Sequence, residues 1–217
     1  MASRFSLVIF DCDGVLVDSE VLGIRVLVEC ASEYGAKMEM SEALPLFLGR
    51  KMAERVAILA TRATLPFPDD FTANFRARSA IVFRKELRPI PGVREALAQI
   101  TAPVCVATNG PREKMTLSLE VTGLLPFFGS NLFTAYEVGS WKPAPDLYLH
   151  AAAAFGAAPE RCAVVEDSPL GAQAGIAAGM TVFGYAQDEG HAEKLAATGA
   201  ITFSHMADLP LLLSEPT

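Results

Sequence analysis

The chain is 217 residues long, with 51% hydrophobic residues and a formal net charge of -7. Such a length provides for one larger domain or a core with a small insert, and the acidic balance argues against nucleic acid as the main partner, because backbone binding needs a basic face. No apolar stretch nears the roughly 20 residues of a membrane span, residues 1 to 10 lack a basic segment followed by a signal-peptide core, and Cys12, Cys30, Cys105 and Cys162 include no C-x-x-C pair. A cytoplasmic protein is therefore expected, with reduced core thiols and neither disulfides nor a zinc site.

In chain order the first element is Leu7-Val8-Ile9-Phe10, an apolar run that reads as a strand buried on both faces of a parallel sheet. It delivers Asp11-Cys12-Asp13-Gly14-Val15-Leu16-Val17-Asp18-Ser19. Side chains alternate along a strand, so Asp11 and Asp13 share a direction while Cys12 points away, and Gly14 supplies the backbone freedom for the chain to leave. Open α/β sheets bind ligands at the C-terminal ends of their strands. Two carboxylates there suit Mg2+-assisted nucleophilic chemistry on a phosphate ester; a pair of acidic turn residues is the plainer alternative.

Residues 19 to 86 show helical patterning without a convincing strand: Val21, Ile24, Val28 and Cys30 to Tyr34, then Met52 to Ala63, then Phe71 to Leu87, divided at Pro45, Gly49, Pro66 and Pro68. Between residues 18 and 88 stand 11 of the 18 basic residues against 10 acids, leaving 7 bases against 15 acids elsewhere. This near-neutral, Arg-rich segment suits an anionic substrate, with a solvated helical face as the alternative. From Pro89 onward, strands at Val104 to Ala107, Leu132 to Thr134, Ala163 to Val165 and Thr181 to Phe183 alternate with helices beginning near Gly92, Pro111, Pro145, Pro169 and Glu189. That succession implies an α/β fold, a Rossmann-like parallel sheet with helices on both faces. The helical block is then a small α-helical cap inserted after the first strand, above the active edge.

Three further strand ends carry polar groups. Thr108-Asn109-Gly110-Pro111 offers a hydroxyl, an amide and a glycine turn into a helix, an oxyanion cradle or an ordinary helix cap. Trp141-Lys142-Pro143-Ala144-Pro145 holds a lysine in a stiff extended turn, where it can neutralise charge shared by a carboxylate and a phosphoryl group. Glu166-Asp167-Ser168 again puts acids after an apolar strand. Asp11, a carbonyl near Asp13 and Asp167 would make a reasonable Mg2+ site, and Ser168 before Pro169 could serve simply as a helix cap.

In order and spacing these four motifs resemble those of the haloacid dehalogenase-like hydrolase superfamily, over nearly the whole chain. The nearest resemblance is to the sugar phosphatases of its β-phosphoglucomutase-like branch. The stretch from Ile100 through Lys114-Met115, with Trp141-Lys142-Pro143, is similar to bacterial 6-phosphogluconate phosphatases. The resemblance implies a catalytic core of residues 1–17 and 88–217 and a cap of residues 18–87, hinged near residues 15 to 18 and 88 to 92. It implies Asp11 as nucleophile forming an aspartyl-phosphate, Asp13 as general acid and then base, and Mg2+ held by Asp11, the Asp13 carbonyl and Asp167, with Glu166 a ligand directly or through water. Thr108 and Lys142 would hold phosphoryl oxygens and Asn109 with Gly110 would line the cradle. Arg50 and Lys51, in what resembles the specificity loop of the cap, are candidate contacts to a second anionic group of the substrate, with a plain surface role as the alternative.

Departures prune the family. Haloacid dehalogenases and phosphonoacetaldehyde hydrolases lack an acid at the position of Asp13, which favours phosphoryl transfer here. The β-phosphoglucomutases carry a cap histidine and arginine where this chain has Gly23 and Met52, which disfavours the mutase. The expectation is a phosphatase acting on a small phosphorylated metabolite, a sugar or sugar-acid phosphate such as 6-phosphogluconate, in a monomer or weak homo-oligomer. A phosphomutase and a non-catalytic phosphometabolite-binding protein are the alternatives.

Overall fold

The computed structural model describes residues 4–48 and 50–214; Gly49, one of the expected helix breakers, lies outside the described residues. Six strands form one parallel sheet among the described residues: β1 (Leu7–Phe10), β2 (Val104–Thr108), β3 (Leu132–Thr134), β4 (Cys162–Glu166), β5 (Thr181–Tyr185) and β6 (Ile201–Phe203). Their order is β3-β2-β1-β4-β5-β6, with Ile9 level with Cys105 on one side and Val164 on the other. The chain thus winds outward from β1 to β3 and then returns to the opposite side of β1. The crevice past the C-terminal ends of β1 and β4 is a topological switch point, where such sheets bind ligands.

The chain divides into two compact units, the helical block Asp18–Leu87 and a unit made of Met1–Val17 and Arg88–Thr217. The helical unit holds α1 (Glu20–Ser32), α2 (Met40–Phe47), α3 (Met52–Ala60) and α4 (Phe71–Glu86). The sheet unit adds α5 (Val93–Gln99), α6 (Arg112–Val121), α7 (Leu125–Phe128), α8 (Ala135–Val138), α9 (Asp146–Ala154), α10 (Pro169–Ala177), α11 (Glu189–Ala196) and α12 (Leu209–Leu212). None of the described helices is long and apolar enough to cross a membrane.

β1 is buried along its whole length because both of its faces are covered. Leu7 and Ile9 pack with Cys105, Leu147, Ala151, Val164 and Ala172, so α9 and α10 lie on their side. On the other side Phe10 meets Phe128 edge-on, with ring centroids 6.0 Å apart. Each such fully buried side chain contributes about 1.5–3 kcal/mol. The helical unit has its own core, with Ile24, Leu27, Phe47, Leu59, Phe71 and Phe75 buried together. Ion pairs link its helices: Arg25–Glu86 at 2.7 Å lies on the surface and adds about 0–1 kcal/mol, while Arg55–Glu20 at 3.0 Å is partly buried.

Some elements differ from the sequence expectation. Pro45 does not divide helices; it is the sixth of eight residues in α2, where its missing N–H forgoes a single bond to the Ser41 carbonyl. The segment after Thr134 forms the short helix α8, which the sequence expectation does not include, held by a capping box in which the Thr134 hydroxyl accepts from the Glu137 N–H and the Glu137 carboxylate accepts from the Thr134 N–H. β6, α7 and α12 are additional; at three or four residues each they are too short to carry a readable period.

All four cysteines are free and buried. Burial pushes every thiol up, Cys162 to about 11 and Cys12 well above the ordinary range. Because the thiolate is the reactive form, none of the four should react with a disulfide reagent within minutes at about pH 8 in the native protein, and all should react in denaturant. Thiol titration by absorbance checks this, and a fast-reacting native thiol would contradict the burial.

Candidate active site

Asp11 leaves the sheet from its last rung, since its own N–H still donates to the Val165 carbonyl at 2.9 Å. Beyond it the chain tightens into a turn in which the Leu16 and Val17 N–H groups both reach the Cys12 carbonyl, at 3.0 and 3.1 Å. Gly14 takes this turn at φ 78°, and a Cβ there would overlap the Asp167 carboxylate. Glycine alone tolerates both the left-handed backbone and that approach.

The Lys142 side chain, 3% exposed, joins three strand ends. Its Nζ donates to Asp11 Oδ1 at 2.6 Å, to Glu166 Oε1 at 2.7 Å and to the Ala107 carbonyl at 2.9 Å. An ammonium has three N–H donors, so all are in use, and Nζ also stands 4.8 Å from the Tyr148 ring centroid. The Lys142–Pro143 peptide is cis. What holds the Lys142 backbone is Asn109, whose Oδ1 accepts from the Lys142 N–H at 3.0 Å and whose Nδ2 donates to the Lys142 carbonyl at 3.5 Å. The Asn109 amide is thereby a clamp on the lysine loop. Thr108, buried at the end of β2, accepts the Gly110 N–H at 3.0 Å.

Glu166 is fully buried, with each oxygen taken twice. Oε1 accepts from Lys142 and, at 2.8 Å, from the Tyr148 hydroxyl; Oε2 accepts from the Ser168 N–H and hydroxyl, both at 3.0 Å. Ser168 also caps α10 by accepting the Gly171 N–H. Asp167 faces Gly14, and its carbonyl meets the His191 ring. Asp13 is partly exposed and pairs with Lys114, on α6, at 2.7 Å from Oδ2 to Nζ.

Electrostatically the cluster is short of positive charge. Burial, reinforced by Glu166 and Asp13 against the pull of Lys142, pushes the Asp11 carboxyl up to about 7. Burial acts on Glu166 in the same direction, but the Lys142 ammonium and hydrogen bonds from Lys142, the Ser168 N–H and Tyr148 outweigh it and hold that carboxyl below the usual range. Burial acts downward on Lys142, and Asp11 with Glu166 overcome it. Asp11, Glu166 and Asp167 each offer an oxygen, all within 4.8 Å of one another. Hard carboxylate donors around a charge deficit fit Mg2+ or a cation like it. Because four donors already fill Glu166, Asp11 and Asp167 are the better direct ligands.

Of the residues singled out in the sequence, Asp11, Asp13, Thr108, Asn109, Gly110, Lys142, Glu166 and Asp167 thus gather at one end of β1, β2 and β4. Arg50 and Lys51 belong to the helical unit. There Arg50 Nε donates to the Leu46 carbonyl at 2.7 Å, closing the end of α2, and Lys51 precedes α3. Tyr148, Lys114 and His191 were not singled out for roles. Tyr148 was the most findable, since a tyrosine at a core position of a helix needs a partner for its hydroxyl.

A strand-end aspartate paired with a buried lysine and a carboxylate cluster stands at a Rossmann-like switch point, and a model of the haloacid dehalogenase-like hydrolases matches residues 5–179. The chain belongs to that family, as the four motifs led one to expect. It is 39% identical over 211 residues, 97% of this chain and 95% of the other, to a protein of Escherichia coli K12 named 6-phosphogluconate phosphatase. Among solved structures, a haloacid dehalogenase-like protein from Agrobacterium tumefaciens is 34% identical with a TM-score of 0.83, covering 96% of this chain and 97% of that one. A family hydrolase from Deinococcus radiodurans, crystallised with phosphate and sodium, is 32% identical with a TM-score of 0.78, covering 99% and 100%. With relatives of this kind the chain is a phosphoric monoester hydrolase.

Proposed function

We propose that this enzyme is a Mg2+-dependent phosphatase of a small sugar or sugar-acid phosphate, 6-phosphogluconate foremost, working through an aspartyl-phosphate on Asp11. The observation that carries the reading is the Asp11 carboxylate held 2.6 Å from a buried lysine at the switch point, with Asp13 two residues on. The names of its relatives, a 6-phosphogluconate phosphatase among them, point to the substrate class. Asp11, Asp167 and the Asp13 carbonyl would hold Mg2+, which supplies positive charge against carboxylate–phosphate repulsion.

An Asp11 oxygen attacks phosphorus while the bond from phosphorus to the leaving oxygen breaks, and Asp13 gives its proton to that oxygen. Asp13 then takes a proton from water as the water attacks the aspartyl-phosphate, which releases phosphate and restores Asp11. Lys142 acts by its charge, since its three donors are committed to Asp11, Glu166 and Ala107. Thr108 and Gly110 line the phosphoryl side, and Asn109 serves them by fixing Lys142. Phosphate monoesters are accelerated by up to about 10²¹, so several such groups must converge.

In this reading residues 18–87 are the cap that selects substrate, with Arg50 and Lys51 as contacts, and the four buried thiols fit a reducing cytoplasm. The mutase is disfavoured by Gly23, a bare position in α1, and by Met52 at the start of α3. Phosphate release should be measured with Mg2+ across sugar, sugar-acid, polyol and nucleotide monophosphates. Turnover is expected to be highest for sugar or sugar-acid phosphates and to vanish on chelation and in Asp11→Asn; activity that survives both would sink the proposal.

A further inference from the structure

We propose that Lys114 is a positioning residue for Asp13, and so sets how well the enzyme expels a leaving group that needs a proton. The inference rests on the phosphatase reading above. Asp13 lies past the last rung of β1, in the turn formed by residues 12 to 17, so no regular ladder fixes its side chain. Its carboxylate is gripped from a distant part of the chain: Lys114 Nζ donates to Oδ2 at 2.7 Å across 101 residues of sequence.

The route of that contact is built into α6. Lys114 is the third residue of the helix that follows Gly110-Pro111, and its stem runs past Gly110. A Cβ on Gly110 would stand 3.9 Å from Lys114 Cδ and 3.8 Å from Asp13 Oδ2, so the glycine forms the floor beneath the pair. Lys142 cannot take over the task, because its donors are already committed at 2.6, 2.7 and 2.9 Å. The two lysines divide the two aspartates: buried Lys142 serves Asp11, and Lys114, with its side chain 36% exposed, serves Asp13. A pair this open to water contributes little to folding, so its value lies in holding a proton donor in line, where small misplacements are costly.

The consequence is a dependence on the leaving group. With an alkyl ester the Asp13 proton moves to the ester oxygen as the bond from phosphorus breaks and its electron pair stays on that oxygen. With p-nitrophenyl phosphate the phenolate departs without that proton. The test measures kcat/KM, which reports steps through the first phosphoryl transfer, for p-nitrophenyl phosphate and for the best sugar phosphate, in wild type, Lys114→Met and Lys114→Arg. The ratio of sugar to aryl ester should fall at least about tenfold in Lys114→Met and return to within about threefold in Lys114→Arg. Both substrates are read on one sample, so the ratio is independent of how much of it folds. Equal losses on both esters, or no change in the ratio, would overturn the role of Lys114. A wild-type enzyme inactive on both would overturn the phosphatase reading itself.

Discussion

Lys142→Met is expected to abolish phosphate release and to lower the free energy of unfolding by about 3–5 kcal/mol, the cost of breaking a buried ion pair from one side. Urea unfolding followed by circular dichroism, beside a phosphate-release assay, measures both. The lysine side chain is 3% exposed and that of its partner Glu166 is 1% exposed, so water cannot replace the lost ammonium. Asp11 can relieve its share of the cost by taking up a proton, since its carboxyl already sits at about 7. In the proposed mechanism that relief removes the attacking carboxylate, so stability and activity should fall together. Adding Glu166→Gln to Lys142→Met should return about 1–2 kcal/mol of stability by removing the second unpaired charge, without restoring turnover. A single-variant loss below about 1 kcal/mol would mean that the pair is not sealed from water.

Gly171→Ala should also damage the enzyme, against the ordinary expectation for a helix. Alanine inside a helix is favoured over glycine by about 1 kcal/mol, and Gly171 is the third residue of α10. Yet a Cβ at this position would overlap the Glu166 carboxylate, its carbon and both oxygens. Glu166 has nowhere to go without releasing Tyr148, Ser168 or Lys142. Overpacking together with the loss of one or two buried hydrogen bonds outweighs the propensity gain, giving a net loss of about 2–4 kcal/mol. Since Glu166 also anchors Lys142 at Asp11, kcat should drop about a hundredfold. A thermal melt showing Gly171→Ala more stable than wild type would refute the packing argument.

The sheet was legible because its central strands are short apolar runs that each end in a polar group. Val104 to Ala107 and Ala163 to Val165 announce both the strand and the place where it stops. Pro111, Pro145 and Pro169 likewise mark helix starts, and α6, α9 and α10 begin at or one residue after them. β6 was hidden because three residues with an exposed Thr202 at the middle carry no period. Within the site, residue types and spacing located the polar strand ends but not their partners. Nothing in Asn109 distinguishes an amide that lines a cradle from one that clamps a backbone 33 residues away. Tyr148 and Lys114 act through contacts that exist only once α9 and α6 are docked on the sheet.

The position of the helical insert has a consequence for synthesis. β1 is made before either of its neighbours in the sheet, β2, which ends at Thr108, and β4, which ends at Glu166. At translation rates of about 5–20 residues per second, the interval between Phe10 and Thr108 lasts roughly 5–20 s. During that time Leu7-Val8-Ile9-Phe10 has no partner strand, while residues 18–87, whose contacts are local, already contain everything their own core requires. The nascent chain therefore carries an unpaired apolar strand ahead of a completed helical bundle, and Asp11 is made well before the strands that complete its surroundings.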